Sequence, residues 1–198
     1  MKTPAPSRVL LAALLATALP ARASFHLYDI QEVFTNADGS VQFIELFTTS
    51  GFQQFLTGHS ITFQLNGSNQ TPLVLSDLPG DTTNKTFLVG TANLATLYGV
   101  TPDFVIPANF LAQGSNNFIN FAEGTDRVNL SLLPVNGASS LNGLINDGGQ
   151  TSASTSINLL ATPTNFAGAT AVIPEPGGTL LYALGIGLAA MRHRRISP

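Results

Sequence analysis

The sequence predicts an all-β sandwich with one short helix, and three observations support this. Short segments alternate apolar and polar residues, as half-buried strands do. In residues 59–65, for example, Ile61, Phe63 and Leu65 fall on one face, and an Asn-Gly turn follows. Turn residues recur between such segments, and about 150 residues lie between the two terminal segments, enough for one hydrophobic core. Many short strands with frequent turns are typical of a sandwich or a barrel.

The individual elements follow from the same patterns in chain order. The expected strands are residues 41–47, 59–65, 73–75, 86–89, 118–121, 127–132 and 157–160. Residues 118–121 and 128–132 form a predicted hairpin with a longer loop. A helix is predicted over residues 92–98, whose leucines and tyrosine have helical spacing and which Gly99 can close. Residues 146–156, rich in Gly, Ser and Thr, are either a loop or the start of a tether.

Composition and charge exclude several classes of protein. The 198 residues include no cysteine, which excludes disulfide scaffolds, thiolate zinc sites and thiol nucleophiles. Between Ser24 and Ile173, Lys85 and Arg127 are the only Lys or Arg residues, against ten carboxylates, a net charge of −8. A segment with this charge repels phosphate backbones, so nucleic acid is not an expected partner.

The N-terminus, residues 1–23, has the three parts of a secretory signal peptide. A basic start at Lys2 and Arg8 precedes the apolar residues 9–19. The residues that define the predicted cleavage site are Ala21, Ala23 and Ser24. Export by the Sec machinery and cleavage by signal peptidase would leave residues 24–172 as the passenger domain. The alternative is an uncleaved anchor, but the apolar segment is shorter than the roughly 20 residues that span a bilayer.

The C-terminus, residues 173–198, has similar parts in reverse order. A Pro-Glu-Pro motif at residues 174–176 is followed by the uncharged apolar residues 177–191 and by the basic tail 192–198. The apolar segment predicts a transmembrane helix, and the cations behind it favour a cytoplasmic C-terminus. These cations are Arg192, Arg194 and Arg195. We therefore expect the passenger to lie outside the inner membrane.

This order of motif, apolar helix and arginine cluster resembles the PEP-CTERM sorting signal of bacterial exosortase substrates. The resemblance implies that Pro174, Glu175 and Pro176 are the recognition motif and that a membrane-bound exosortase cuts near them. It also implies a Gram-negative host that makes exopolysaccharide or biofilm. The two prolines fix φ at about −65°, which holds the motif extended as a protease groove requires. A plain C-terminal anchor behind a proline-stiffened stalk is the alternative.

The passenger itself carries a second resemblance. Residues 30–36 are similar to the opening strand of the lamin-tail domain. The turn at Asp38-Gly39 and the Phe-Ile-Glu-Leu segment within residues 42–46 are similar to the turn and the strand that follow it, and residues 86–89 are similar to a later strand. Residues 59–63 stand where that family has a polar segment ending in tryptophan. The resemblance implies an immunoglobulin-like β-sandwich, a fold that this family also uses in secreted bacterial proteins.

Glu45 is the candidate functional carboxylate, because it shares one face of a strand with Val41, Phe43 and Phe47. A carboxylate on an apolar face has to be paired, or displaced by a bulge. Two interpretations stay open. Glu45 is either a ligand or catalytic base with a raised pKa, or a carboxylate that accepts backbone N–H bonds and fixes a corner of the fold.

We expect no cofactor, and calcium is the alternative. Asn36, Asp38 and Glu45, with Gly39 between them, match the second half of an EF-hand loop. Phe34 occupies the first ligand position and the flanking residues are predicted strands, which favours a plain hairpin turn at Asp38-Gly39. A looser site is open among Asp29, Asp38, Asp77 and Asp81.

Catalysis finds little support in the passenger, whose two histidines, His26 and His59, do not lie near a Gly-x-Ser-x-Gly elbow. We therefore expect a non-catalytic cell-envelope or extracellular-matrix protein, associated with exopolysaccharide or envelope proteins. The alternatives are a glycan-binding module at the cell surface and a secreted hydrolase. Exposed aromatic pairs would favour the glycan-binding module, although the chain has no tryptophan, and converging carboxylates would favour the hydrolase.

Overall fold

The structure is a computed structural model that describes residues 27–143 and 160–174, and the backbone of residues 151–152 and 156–158. The predicted signal peptide, transmembrane helix and basic tail lie outside the described residues, as does most of the segment 146–156. Within the part that is described, no helix is long and apolar enough to cross a membrane.

Twelve strands and two short helical segments make up the described chain. The strands are β1 (Asp29–Thr35), β2 (Gln42–Thr48), β3 (Ser60–Leu65), β4 (Ser68–Asn69), β5 (Leu73–Val74), β6 (Lys85–Gly90), β7 (Phe104–Val105), β8 (Phe118–Phe121), β9 (Asp126–Asn129), β10 (Ser140–Asn142), β11 (Thr151–Ser152) and β12 (Ser156–Asn158). The helical segments are α1 (Asn93–Tyr98) and a 3-10 turn (Ala122–Gly124). The prediction of a mostly β chain with one short α-helix is confirmed.

The strands form two sheets. Sheet A has the order β12-β10-β1-β2-β6-β7, and sheet B has the order β11-β9-β8-β3-β4, with β5 also paired to β3. Most neighbours are antiparallel, including the predicted β8–β9 hairpin, whereas β6–β7 and β9–β11 are parallel. Two such sheets agree with the predicted sandwich.

One apolar core lies between the inner faces of the two sheets. Sheet A contributes fully buried side chains such as Ile44 and Phe87, and sheet B contributes Ile61 and Phe121. The Tyr28 ring meets the Phe87 ring edge-on, with 4.7 Å between centroids. Each large apolar side chain buried here stabilises the fold by about 1.5 to 3 kcal/mol relative to its exposure to water.

A bulge in β1 decides which of its side chains face this core. Ile30 pairs with Leu46, but the next pair joins Glu32 to Glu45, so one residue of β1 has no counterpart on β2. Because side chains alternate along a strand, the extra residue moves the following ones to the other face. As a result Ile30 is in the core between the sheets, whereas Glu32 lies on the outer face of sheet A, beside Glu45.

Neighbouring residues explain where helix α1 and strand β9 end. Helix α1 ends at Gly99, whose φ of 73° is in the left-handed region that glycine adopts without strain and whose N–H is bonded to the Ala95 carbonyl. Strand β9 ends at Asn129, earlier than the predicted residue 132. The Asn129 Oδ1 atom accepts the Ser131 N–H at 2.8 Å, which turns the chain away from the sheet.

Candidate functional site

The outer face of sheet A brings two glutamates together. Glu32 and Glu45 are cross-strand partners, and their side chains are 3% and 5% exposed. Like charges directly opposite each other on a sheet repel, and burial makes ionisation of both more costly. This pair needs hydrogen-bond donors from another part of the chain.

Those donors come from a segment that covers the outer face, residues 160–174, which we call the C-terminal hairpin. Its two arms meet at bridges between Ala161 and Ile173 and between Thr164 and Thr170, and it turns at Gly168, whose φ is 85°. The hairpin and helix α1 cover a second apolar cluster on the outer face. This cluster contains Phe34, Val41, Phe43, Leu88, Leu94, Val100, Ala161 and Ile173.

Backbone amides of the hairpin bind both glutamates. Thr164 donates its N–H to Glu45 Oε2 at 2.6 Å, and Thr162 donates its N–H to Glu32 Oε1 at 3.2 Å. The Thr162 hydroxyl also donates to Glu32 Oε2 at 3.3 Å, and the Ser140 hydroxyl of β10 donates a short hydrogen bond to Glu32. Alternate residues of one hairpin arm therefore bind the two glutamates of neighbouring strands.

A third carboxylate, Asp103, binds the hairpin near its turn. Its Oδ2 atom accepts the N–H of Leu88 in β6 at 2.8 Å and the N–H of Phe166 in the hairpin at 2.9 Å. The Lys85 ammonium lies 4.5 Å from the centre of the Phe166 ring. We call Glu32, Glu45 and Asp103 the hairpin carboxylates, because each accepts at least one backbone amide from residues 160–174.

Burial changes the protonation of this site. Removal from water raises the pKa of Glu45 to about 8, with the neighbouring Glu32 charge acting in the same direction and the Thr164 amide opposing it. Burial also raises the pKa of Asp103, against the pull of its two amide donors. Glu45 therefore holds a proton through most of the neutral range, and this proton keeps two negative charges from facing each other beneath the hairpin.

The predicted sorting motif begins where the hairpin ends. Ile173 is 1% exposed and donates its N–H to the Ala161 carbonyl at 2.9 Å, whereas Pro174 is exposed. Glu175 and Pro176 lie outside the described residues. The same holds for the predicted cleavage residues and the basic tail, namely Ala21, Ala23, Ser24, Arg192, Arg194 and Arg195.

The calcium candidates occupy two separate places. Asp38 lies in the β1–β2 turn, where its Oδ1 accepts the Ser40 N–H at 3.0 Å and the Ser40 hydroxyl at 2.6 Å. These bonds lower the pKa of Asp38. Asn36 Oδ1 in the same turn accepts the Val41 N–H at 3.0 Å. Glu45 instead lies under the hairpin, and no group of three or more His, Cys, Asp or Glu side chains within the described residues is placed to hold a metal.

The histidine expected on a strand lies on the surface. His59 precedes β3, and its Nδ1 is 3.0 Å from Glu123 Oε2, with side-chain exposures of 30% and 61%. His26 lies outside the described residues. The exposed His59–Glu123 pair is separate from the hairpin carboxylates.

Three residues of the site were not found by the sequence analysis in this role. Glu32 was hidden because regular alternation would place it on the core face with Ile30, and only the β1 bulge moves it beside Glu45. Asp103 lies just before the two-residue strand β7, too short to show a pattern. Thr164 offers a backbone N–H, which no side-chain motif signals.

Comparison of the chain with known protein families, with curated proteins and with solved structures finds no match. The class that the fold defines is a two-sheet, mostly β protein with one short α-helix.

Proposed function

We propose that this chain is an exported, non-catalytic protein of the cell envelope or extracellular matrix, sorted by an exosortase at Pro174-Glu175-Pro176. The observation that carries the proposal is the junction at Ile173. The last buried residue of the hairpin, Ile173, is followed directly by Pro174, the exposed first residue of the Pro-Glu-Pro motif. A membrane protease could therefore reach the first residue of the motif while the hairpin stays on the sheet.

The passenger would be a lamin-tail-like, immunoglobulin-like sandwich. The β1–β2 hairpin with its Asp38-Gly39 turn supports this, because it covers the residues that resemble the opening of that family. Its partners after export would be exopolysaccharide or other envelope proteins, and its location the cell surface, the outer envelope or the medium. Before processing, residues 177–191 would hold it in the inner membrane.

A non-catalytic role is supported by the state of the converging carboxylates. Glu32 and Glu45 do form a pair, as a hydrolase would need, but both are almost fully buried and both accept hairpin amides. A substrate could reach them only after the hairpin had left the sheet. This arrangement favours the second interpretation of Glu45, a carboxylate that fixes the fold by accepting a backbone N–H.

Intact-mass spectrometry of the protein from its own cells, with and without the exosortase gene, tests the proposal. Wild-type cells should yield a chain that starts at Ser24 and ends near residues 174–176, and cells without the enzyme should retain the tail. Glu175→Gln should reduce processing, whereas Glu123→Gln, which changes an exposed surface glutamate, should leave it unchanged. A tail that stays attached in both strains would contradict the sorting assignment.

A further inference from the structure

The loop between β2 and β3 presents two aromatic side chains to solvent. Phe52 is 79% exposed and Phe55 is 52% exposed, and they are the only exposed phenylalanines within the described residues. We call them the aromatic pair. Single apolar side chains on a surface are ordinary, whereas here two exposed aromatic side chains lie within four residues of one loop.

The loop backbone holds this arrangement under strain. Phe52 has a φ of 61°, in the left-handed region that a bulky residue rarely occupies. The next residue is anchored, because Gln53 donates its N–H to the Thr82 hydroxyl at 3.0 Å and its Oε1 accepts the Leu27 N–H at 3.0 Å. The Thr82 hydroxyl donates in turn to the Ser50 carbonyl at 2.9 Å. Phe52 is thus fixed in an outward position in which its ring adds little to the core.

Exposed carboxylates lie at both ends of the loop. An ideal Cβ on Gly51 would lie 3.0 Å from Asp81 Oδ1, so this carboxylate is adjacent to the residue before the aromatic pair. After the pair, the Thr57 N–H donates to Asp77 Oδ1 at 2.8 Å. Both aspartates are exposed. Flat apolar rings beside hydrogen-bond acceptors suit a ligand with an apolar face and hydroxyl donors, as a sugar ring has.

The negative charge beside the loop favours an uncharged ligand over an anionic one. Lys85 and Arg127 are the only Lys or Arg residues within the described chain, and each lies over a ring, 4.5 Å from the Phe166 centroid and 3.6 Å from the Phe118 centroid. Neither residue belongs to the loop. A uronate or sulfate polymer would meet Asp77 and Asp81 without a cation from the loop to offset them, whereas a neutral polymer would not be repelled.

We propose that the aromatic pair, flanked by Asp77 and Asp81, is a binding site for neutral polysaccharide. Sugar rings of the polymer stack their C–H faces on Phe52 and on Phe55, and hydroxyl groups of the sugars donate to the two carboxylates. The inference rests on the proposed function, since it names the partner through which an envelope protein of this kind would join the matrix. It does not depend on exosortase processing.

Binding is tested with the full chain in a detergent that has no sugar head group. The probes are hexasaccharides of glucose, galactose and N-acetylglucosamine, with polygalacturonate as the anionic comparison, measured by titration calorimetry. At least one neutral hexasaccharide should bind, with no binding of polygalacturonate. Phe52→Ala and Phe55→Ala should each weaken binding about tenfold, in line with the loss of about 1 to 1.5 kcal/mol from one aromatic contact.

Two further variants separate a binding role from a structural one. Leu97→Ala removes another exposed apolar side chain, 60% exposed on helix α1, and should bind as the wild type does. Phe52→Gly should raise the melting temperature by a few degrees, because glycine adopts the positive φ without strain, and should still weaken binding. The proposal is overturned if no neutral hexasaccharide binds, if polygalacturonate binds more tightly, or if both alanine variants bind like the wild type. These outcomes leave the mass-spectrometric test of sorting unaffected.

Discussion

The two faces of sheet A are buried in different ways. The inner face meets sheet B mainly through apolar side chains such as Leu46 and Phe87, which are fully buried. The outer face is covered by the C-terminal hairpin, where an apolar cluster around Phe34 lies beside two buried glutamates, Glu32 and Glu45. The inner face therefore relies mainly on apolar contacts, with a carboxylate–amide hydrogen bond from the Ile30 N–H to Asp126 Oδ2 at 2.6 Å. The outer face combines apolar contacts with the hydrogen bonds between the glutamates and the hairpin amides.

The two kinds of contact contribute differently to the fold. Apolar contacts are non-directional and roughly proportional to buried area, so the inner face supplies most of the stabilisation. Hydrogen bonds from Thr162 and Thr164 to Glu32 and Glu45 are directional, so they fix where the hairpin lies on the sheet. Burial raises the pKa values of Glu45 and Asp103, so the contacts of the hairpin depend on pH.

The largest expected effect comes from a cavity in the inner face. Phe121→Ala removes a fully buried ring that contacts the Tyr28 and Phe87 rings, each at 6.1 Å between centroids. We expect a loss of about 3 to 5 kcal/mol in the free energy of unfolding, measured by urea denaturation. The loss should be nearly the same at pH 6 and pH 9, because Phe121 lies in the core between the sheets, whereas Glu45 lies on the outer face of sheet A. A loss that differs between the two pH values would show that the two faces are coupled.

The outer face should lose stability as the pH rises. Glu45 has a folded-state pKa of about 8 against an ordinary value of 4.5. Its contribution to the free energy of unfolding is therefore complete below pH 4.5 and is lost as the pH rises through 8. The expected loss is about 4 kcal/mol by pH 8, and the raised pKa of Asp103 acts in the same direction. Urea denaturation between pH 4.5 and 9 measures it.

Glu45→Gln is the matched variant for this pH profile, because it keeps the size of the side chain and cannot ionise. Its stability should fall much less than that of the wild type, with the remaining loss due to Asp103, so that the variant is the more stable protein at pH 9. Glu32→Gln should flatten the profile in part, since it removes the charge that faces Glu45. If Glu45→Gln followed the wild-type curve, Glu45 would not be the titrating group.

Asp103 offers a smaller effect on the same face. Asp103→Ala leaves the N–H groups of Leu88 and Phe166 without their acceptor, which should cost about 2 to 3 kcal/mol at pH 6. Asp103→Asn keeps one acceptor oxygen and should cost about half as much. Thermal unfolding of both variants measures the difference, and equal losses would mean that the amides are satisfied elsewhere.

The smallest effect should be a gain. The Tyr28 hydroxyl is buried in the inner core without a hydrogen-bond partner among the described residues, and burial raises the pKa of this phenol. Tyr28→Phe removes the unsatisfied group and keeps the ring contacts with Phe87 and Phe121. Stability should rise by about 1 kcal/mol, visible as a higher melting temperature. A lower melting temperature would reveal a partner for the hydroxyl.

The sequence predicted the local part of this fold. Alternation along residues 59–65 and 118–121 is a property of neighbouring residues, and the strands found there are the predicted ones. Helix α1 was predicted because Gly99, which ends it, is next to it in sequence. Alternation along residues 41–47 also identified Glu45 as a carboxylate on an apolar face that would have to be paired.

The partners of Glu45 could not be predicted in the same way. Its donor, Thr164, is 119 residues further along the chain, and no local pattern links the two. Residues 160–174 have neither a strand nor a helix period, so their role as a cover depends on contacts formed only in the folded protein. The exposed position of Phe52 has no local signal either, since phenylalanine is among the residue types that are most often fully buried.

Hydrogen–deuterium exchange of the full chain in detergent tests most directly whether the hairpin carboxylates hold the C-terminal hairpin on sheet A. Protection is referred to the intrinsic exchange rate at each pH. At pH 6 the Thr164 and Phe166 amides should be protected. At pH 9 their protection should fall, while the amides of β2 and β6 stay protected. Glu45→Gln should restore the protection of the Thr164 amide at pH 9. Unprotected hairpin amides at pH 6, or protection that neither pH nor Glu45→Gln changes, would contradict the account.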